Sequence, residues 1–402
     1  MRRLESIALV SAAYPPHTSG GIEVQTYDLA HALSSEGVDV TVFCGGAKVP
    51  KLIREHENLK IFRMPMADAP PRVVWFQLQN LEILRRTLPN YDIVHSQHSS
   101  GSIYGLFKEK IGKPWVVSFH DHQLRRLTVF FDVKPWNLSL GDIMYYTFGC
   151  PLFEFLTKME LKWADHYIAC GESGFRDYVK FSKMDPAKTT VIPNGINLEK
   201  IRSIIRSAKE YENSEEKDDF MIFTCGRLYA SKGIQYLLKA MPHVIKRFQN
   251  VQLKIFGKGP LYSYLQGLIR SLKLKNNVTL EGHVPYKQLI SEMNKSDLAV
   301  FPSMVEVGAS LAVMEAMACH KAVVAFNYPF SLEIIEHLKT GYLVPPKNVN
   351  AVAKAICVLI EDETLRKKLG ENAYCNVVRN HDSKNVVKKY LEVYSNVLSM
   401  QN

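Results

Sequence analysis

The run FPSMVEVGASLAVMEAMACHKAVVAF, residues 301–326, decides how this chain folds. LAVFPS before it and AVVAF at its end are short, continuous apolar stretches of strand length. Between them, small residues ending at Ser310 lead into LAVMEAMA, a segment of strong helix formers. Strand, helix and strand in direct succession make a βαβ unit, the building block of a parallel sheet covered on both faces. Two carboxylates, Glu306 and Glu315, interrupt the apolar run. An ionised carboxylate is costly to bury without a partner, so both need a reason. Ser310 is a good N-cap, and the unpaired N–H groups of the turn after it attract phosphate. Glu306 then falls in a loop and Glu315 on the second helical turn. Both are expected to stay outside the apolar core and to accept hydrogen bonds from ligand hydroxyls.

The same alternation runs along the whole chain. Strands are predicted at IALVSAAY, VDVTVFCG, LKIFRMP, DIVHSQH, PWVVSFHDH, HYIACGES and TTVIPNG, with helical patterns such as VQTYDLAHALSSEG between them. After the acidic stretch NSEEKDD (213–219) a second series follows: FMIFTCGR, VQLKIFGKG, VTLEGHV, LAVFPS, AVVAF and GYLVP. The expectation is an α/β chain of two doubly wound, Rossmann-like domains, residues 1–200 and 201–385, facing across a cleft. A final helix, 386–402, is expected to return to the first domain. Ligands of such sheets bind at the carboxyl ends of the strands. Residues 123–153 fit neither series. Their aromatics with Arg125, Arg126 and Lys134 read either as cover for the sheet or as a wall that meets a lipid-linked acceptor at a membrane surface.

Composition narrows the chemistry. The chain has 402 residues, 47% apolar and 22% charged, as in ordinary globular proteins. Its 50 Lys and Arg against 40 Asp and Glu leave a net charge of +10, which favours an anionic partner. Seven scattered cysteines without a C-x-x-C pair read as reduced thiols of a cytosolic protein, not a disulfide frame or zinc site. The start, MRRLESIALVSAAYPP, has the basic head of a leader, but Glu5 interrupts it and the apolar stretch is short.

Four further segments offer candidate residues. YPPHTSGGIEVQ (14–25) follows the first strand, and Gly20 and Gly21 allow close approach of a ligand to a helix start, although a tight structural turn needs the same glycines. It is not G-x-G-x-x-G, which argues against a dinucleotide cofactor. VVSFHDHQ (116–123) ends a strand with His120, Asp121 and His122, beside His95 and His98 of the preceding strand. A neutral imidazole there can bond a sugar hydroxyl, with a carboxylate fixing its tautomer. The absence of companion Cys ligands counts against zinc. TCGRLYASKG supplies Arg227 and Lys232, a planar fork and a point charge suited to a diphosphate, in an order that is not a Walker loop.

Together these segments resemble the family-4 glycosyltransferases, retaining nucleotide-sugar enzymes of GT-B fold. The resemblance covers nearly the whole chain: YPPHTSGG, SFHD, VIPNGIN (191–197), CGRLYASKG (225–233), FGKGP, VTLEGHVP, FPSMVEVGASLAVMEAMAC and SLEIIEHLKTGYLVPP. It implies an acceptor-side first domain and a nucleotide-sugar-binding second domain. It further implies that Gly21 lies against the donor phosphates, that His120 touches the donor sugar, and that Arg227 and Lys232 bind the diphosphate. Glu315 would hold the ribose, and backbone N–H groups at Ser310–Leu311 would cradle phosphate. No metal or other cofactor is implied, and no D-x-D motif occurs.

Three positions depart from the family pattern. Its two glutamates are usually separated by seven residues, which would put the first at Val307; here Glu306 stands one place earlier, and a shift in the loop is expected to bring it to the donor sugar. His320 replaces a common Gly after EAMAC, and Asn197 stands where Asp is usual.

The expected activity is transfer of a sugar from a UDP- or GDP-sugar to a hydroxyl of a glycan or lipid-linked acceptor. Arg227, Lys232 and the helix start at Ser310 would stabilise charge on the departing β-phosphate. Domain closure would exclude water. The protein is expected in the cytoplasm, with a peripheral membrane contact and no nucleic-acid partner. A catalytically impaired nucleotide-sugar binder is the competing reading.

Overall fold

Runs of alternate-facing apolar residues become the strands of two separate sheets. The computed structural model describes residues 4–16, 20–120, 143–209, 219–306 and 308–400. Asp121, His122, Val307, most of 123–153 and all of NSEEKDD but Asp219 lie outside the described residues. The chain divides into two units: residues 1–124, 147–196 and 383–402 form the first, and 125–146 with 197–382 the second.

Unit 1 holds β1 (Ser6–Ser11), β2 (Asp39–Ala47), β3 (Lys51–His56), β4 (Leu59–Pro65), β5 (Ile93–Gln97), β6 (Trp115–Phe119), β7 (His166–Ala169) and β8 (Thr189–Val191). Their order is β3-β4-β2-β1-β5-β6-β7-β8, all parallel except β3. The helices α1 (Gly21–Ser35), α2 (Arg72–Thr87) and α3 (Cys150–Trp163) cover this sheet. Adjacent strand residues face opposite ways: Ile93 and Val116 join the core under α1, while Val94 and Val117 join the core with Phe76 of α2 and Leu156 of α3. β3 carries no predicted strand pattern. It is an edge strand, antiparallel to β4 and exposed along most of its length, so nothing imposes apolar alternation on KLIREH.

Unit 2 holds β9 (Phe220–Cys225), β10 (Val251–Phe256), β11 (Val278–Gly282), β12 (Leu298–Phe301), β13 (Ala322–Phe326) and β14 (Tyr342–Val344), all parallel in the order β11-β10-β9-β12-β13-β14. Its main helices are α4 (Leu198–Lys209), α5 (Ile234–Arg247), α6 (Tyr262–Ser271), α7 (Tyr286–Lys295), α8 (Leu311–Ala318), α9 (Val349–Glu361) and α10 (Glu363–Asn380). α5, α6 and α9 share one core with Ile222, Leu253, Val300 and Val324 of the sheet. α8 lies between β13 and α10. That position explains why its sequence is apolar all round.

The last helix, α11 (Ser383–Ser399), belongs to unit 1 and packs on α1. It buries Val386, Val387, Tyr390, Val393, Tyr394, Val397 and Leu398, a stripe at helical spacing. Each such side chain is worth about 1.5–3 kcal/mol of burial. A polar bolt crosses this apolar seam. His95 sits between Tyr394 Oη, 2.7 Å from Nδ1, and Ser118 Oγ, 2.8 Å from Nε2. Complete burial lowers its pKa from 6.5 to about 3, so the folded protein keeps this ring neutral. His95 is therefore core structure and leaves the cluster of strand-end histidines expected at the site.

This neutrality makes unit 1 sensitive to acid. An unfolded chain protonates His95 below about pH 6.5 while the folded chain does not, so its contribution is complete above 6.5 and drains as pH falls toward 3. Between pH 7 and 5 the wild type should lose about 2 kcal/mol more in urea denaturation than His95→Gln, which cannot titrate; equal losses would exclude the assignment.

Candidate active site

The loops that follow β9 and β12 are laced together. Met304 N–H donates to the Ser231 carbonyl at 2.7 Å. Gly233 has φ +66°, and a Cβ placed there would lie 1.8 Å from the Pro302 carbonyl oxygen. Only glycine fits that contact. The FGKG turn makes a similar contact on the neighbouring strand, where Gly257 at φ +136° presses on the Gly226 carbonyl. These contacts bring together residues far apart in sequence.

Lys232 and Glu306 meet there as an ion pair, with side chains 26% and 18% exposed. The Lys232 stem passes beside Gly226. Glu306 and Ser310 line one small recess with Phe301, Val313, Phe330 and Ser331. Ser310 occupies the N-cap position of α8, as its sequence predicts, with φ −68° and ψ 129°. Its hydroxyl makes no capping bond, however, and Met314 N–H is the first to return to its carbonyl. The N–H groups of the first turn, beginning at Leu311, thus have no helical acceptors and take no capping bond from Ser310. A cation, a carboxylate and a helix start share one corner of unit 2.

Arg227 occupies the same loop with its side chain exposed, and it forms no ion pair among the described residues. Glu315 departs from expectation. It is on the second turn of α8 but only 7% exposed, because that helix is enclosed between sheet and α10. Its charge reaches Cys225 at the end of β9: burial raises the Cys225 pKa most, Glu315 raises it further, and Lys232 opposes the rise.

In unit 1, Gly20 caps α1 in extended backbone at φ −128° and ψ 177°, and Val24 N–H returns to its carbonyl. Gly21 opens the helix and is exposed. Neither glycine needs a special backbone angle there; what each contributes is an open helix start. His120 is engaged on both sides. Nε2 lies 2.6 Å from Gln97 Oε1, an acceptor, so Nε2 carries the proton, and Nδ1 accepts from the Cys170 thiol at 3.0 Å. An amide and a thiol fix the tautomer where a carboxylate was expected. Burial, with His98 and His95 nearby, lowers the His120 pKa to about 3. The ring is neutral at pH 7. His98 bonds Tyr178 Oη at 3.3 Å and meets the Phe119 ring edge-on.

Two sequence departures find physical reasons. At the end of α8, His320 N–H returns to Met317 and Lys321 N–H to Ala316, the pattern that places its middle residue in the left-handed region. His320 adopts φ +57° there, which explains why Gly is common at this place. Stacking on Tyr374 at 3.8 Å and a 3.0 Å contact with Glu371 offset the strain. Asn197 accepts from Lys200 N–H at 2.9 Å at the start of α4, as Asp would.

Residues 19–200 match the family model of glycosyltransferase family 4, and residues 206–375 that of the glycosyl transferases group 1. The chain belongs to glycosyltransferase family 4. This glycosyltransferase is 27% identical to an uncharacterized glycosyltransferase of Methanocaldococcus jannaschii, over 98% of its own length and 99% of the relative's. Its structure is similar to sucrose-phosphate synthase from Thermosynechococcus elongatus, with a TM-score of 0.80 at 20% identity over 98% of this chain and 100% of that one. It is also similar to Anabaena HepE in complex with UDP and glucose, with a TM-score of 0.73 at 19% identity, again over 98% and 100%. The shared architecture is GT-B.

The lacing predicts an intolerance in this glycosyltransferase. Gly233→Ala should destabilise unit 2 by about 3 kcal/mol or more, read as a lowered thermal midpoint, because both the φ angle and the Pro302 contact reject a methyl. A midpoint within error of wild type would mean that the two loops are not in contact.

Proposed function

We propose that this glycosyltransferase moves a hexose from a UDP- or GDP-sugar to a hydroxyl acceptor, with retention at the anomeric carbon and without a metal ion. The observation that supports this most is the meeting of Lys232, Glu306 and the uncapped start of α8 at one point. A departing nucleoside diphosphate gains negative charge on its β-phosphate as the bond to the anomeric carbon breaks. In this reading Lys232, Arg227 and the N–H groups from Leu311 onward receive that charge, and preorganised donors of this kind supply most of the rate enhancement. The acceptor hydroxyl attacks from the face the phosphate leaves, and its proton passes to the departing phosphate oxygen. Glu306 would hold sugar hydroxyls, Glu315 the ribose, and Gly20 and Gly21 would admit the phosphates to the start of α1. His120, neutral, would orient the sugar after exchanging one of its present partners.

The acceptor would be a glycan or a lipid-linked precursor, met at the cytoplasmic face of a membrane. No described helix is long and apolar enough to cross a bilayer, so the contact would be peripheral. Exposed Phe148 and Phe155 near Lys158, with the net charge of +10, favour such a contact. A second reading, an inert nucleotide-sugar binder, draws on the ion pair that already occupies Lys232.

Turnover of UDP- and GDP-sugars separates the two. Lys232→Ala should lower kcat by about 10²–10³-fold and Arg227→Ala by less, since its side chain is exposed. NMR of the product should show the donor's anomeric configuration, and EDTA should leave the rate unchanged. Thermal stabilisation by nucleotide without transfer or donor hydrolysis would favour the inert binder; inversion would refute the front-face mechanism.

A further inference from the structure

We propose that unit 1 carries an oxyanion site of its own, built by Arg63 and Tyr14 at the carboxyl end of its sheet, which holds a phosphate or carboxylate group of the acceptor. This extends the transferase reading above, since it assigns a charge to the molecule glycosylated.

Arg63 lies near the end of β4 and is 6% exposed. A guanidinium buried this far is nearly always neutralised by a carboxylate. Here it is not. Its bonds run to neutral groups: the carbonyls of Gly45, at 3.5 Å, and Pro15, with the Cys44 thiol at 3.8 Å. Its Cζ stands 5.9 Å from the centroid of the Tyr14 ring. Among the described residues no carboxylate pairs with it. Glu55 belongs to this neighbourhood, because its charge acts on Tyr14 and Cys44, yet its carboxylate is engaged by His31 at 3.3 Å. The carbonyls position the guanidinium without cancelling its charge.

Tyr14 supplies the second, independent observation. It is 1% exposed, and its hydroxyl is buried without a hydrogen-bond partner among the described residues. Buried hydroxyls are rarely left so. A cation lacking a counter-charge and a donor lacking an acceptor share one aromatic contact, and an oxyanion completes both. Arg offers paired N–H groups that fit two oxygens of a phosphate or carboxylate. The position suits a ligand as well: Tyr14 follows β1, Cys44 and Gly45 lie in the second half of β2, and Arg63 lies near the end of β4, at the carboxyl ends where parallel sheets bind ligands.

The test uses the full chain carrying Lys232→Ala, so that the cation of unit 2 cannot supply the signal. In 20 mM inorganic phosphate, against sodium chloride of equal ionic strength, its thermal midpoint should rise by about 2–4 °C. Adding Tyr14→Phe should reduce that rise, and adding Arg63→Met should abolish it. Glycerol 1-phosphate and glucuronate, tested in parallel, tell a phosphate site from a carboxylate site. Should Arg63→Met fail to fold, Tyr14→Phe, which removes one hydroxyl, decides. A rise of the same size in both variants, or none in the parent with any of the three anions, overturns the proposal. Failure of the donor reading would show separately, as loss of stabilisation by UDP and GDP in the otherwise wild-type chain while the phosphate response persists.

Discussion

Gly233 packed against the Pro302 carbonyl is the contact on which the rest of unit 2's site depends. Lys232 and Glu306 are separated by the whole of α5, α6 and α7 in sequence. The missing side chain at Gly233 and the bond from Met304 N–H to Ser231 draw the loop after β9 onto the loop after β12. That single junction sets a cation beside the start of α8. Its chemistry is then dictated by what each loop ends on.

The junction also explains the two carboxylates in the apolar run. Glu306 is tolerated because Lys232 neutralises it, and Lys232 is held in place by Glu306. Each has the other as partner. Glu315 is a different case, enclosed by the packing of α8 between sheet and α10 and felt electrostatically at Cys225. One carboxylate is paired and partly exposed, and the other is built in. Unit 1 divides its buried polar groups in a similar way. His95 joins α11 to the sheet and is purely structural, whereas Arg63 and Tyr14 bury a charge and a hydroxyl that no described side chain satisfies.

Much of this architecture is legible in sequence because strands buried on both faces leave continuous apolar runs, and the two series of such runs form the parallel strands of the two sheets. β3 is not legible, because an exposed edge strand leaves no pattern. Ser310 is correctly placed at a helix start, since N-cap preference is local; the idleness of its hydroxyl depends on packing and is not. The burial of Glu315 is hidden because α8 shows no polar face from which to tell inside from outside. His95 and His120 look alike as strand-end histidines, and only neighbours distant in sequence separate them, Tyr394 of α11 for one, Gln97 and Cys170 for the other. Arg63 reads as an ordinary polar residue of a strand, since nothing in LKIFRMP reveals that no described carboxylate pairs with it.

Whether Glu306 occupies the place that a diphosphate takes on Lys232 is tested most directly by titration calorimetry of UDP and GDP, without the sugar, against wild type and Glu306→Gln. Removing the competing charge should tighten binding of the nucleotide that binds by about two- to five-fold, the range expected for a partly exposed pair. Unchanged or weaker binding would mean that Glu306 only props the lysine in place, and would contradict the exchange of one anion for another at Lys232.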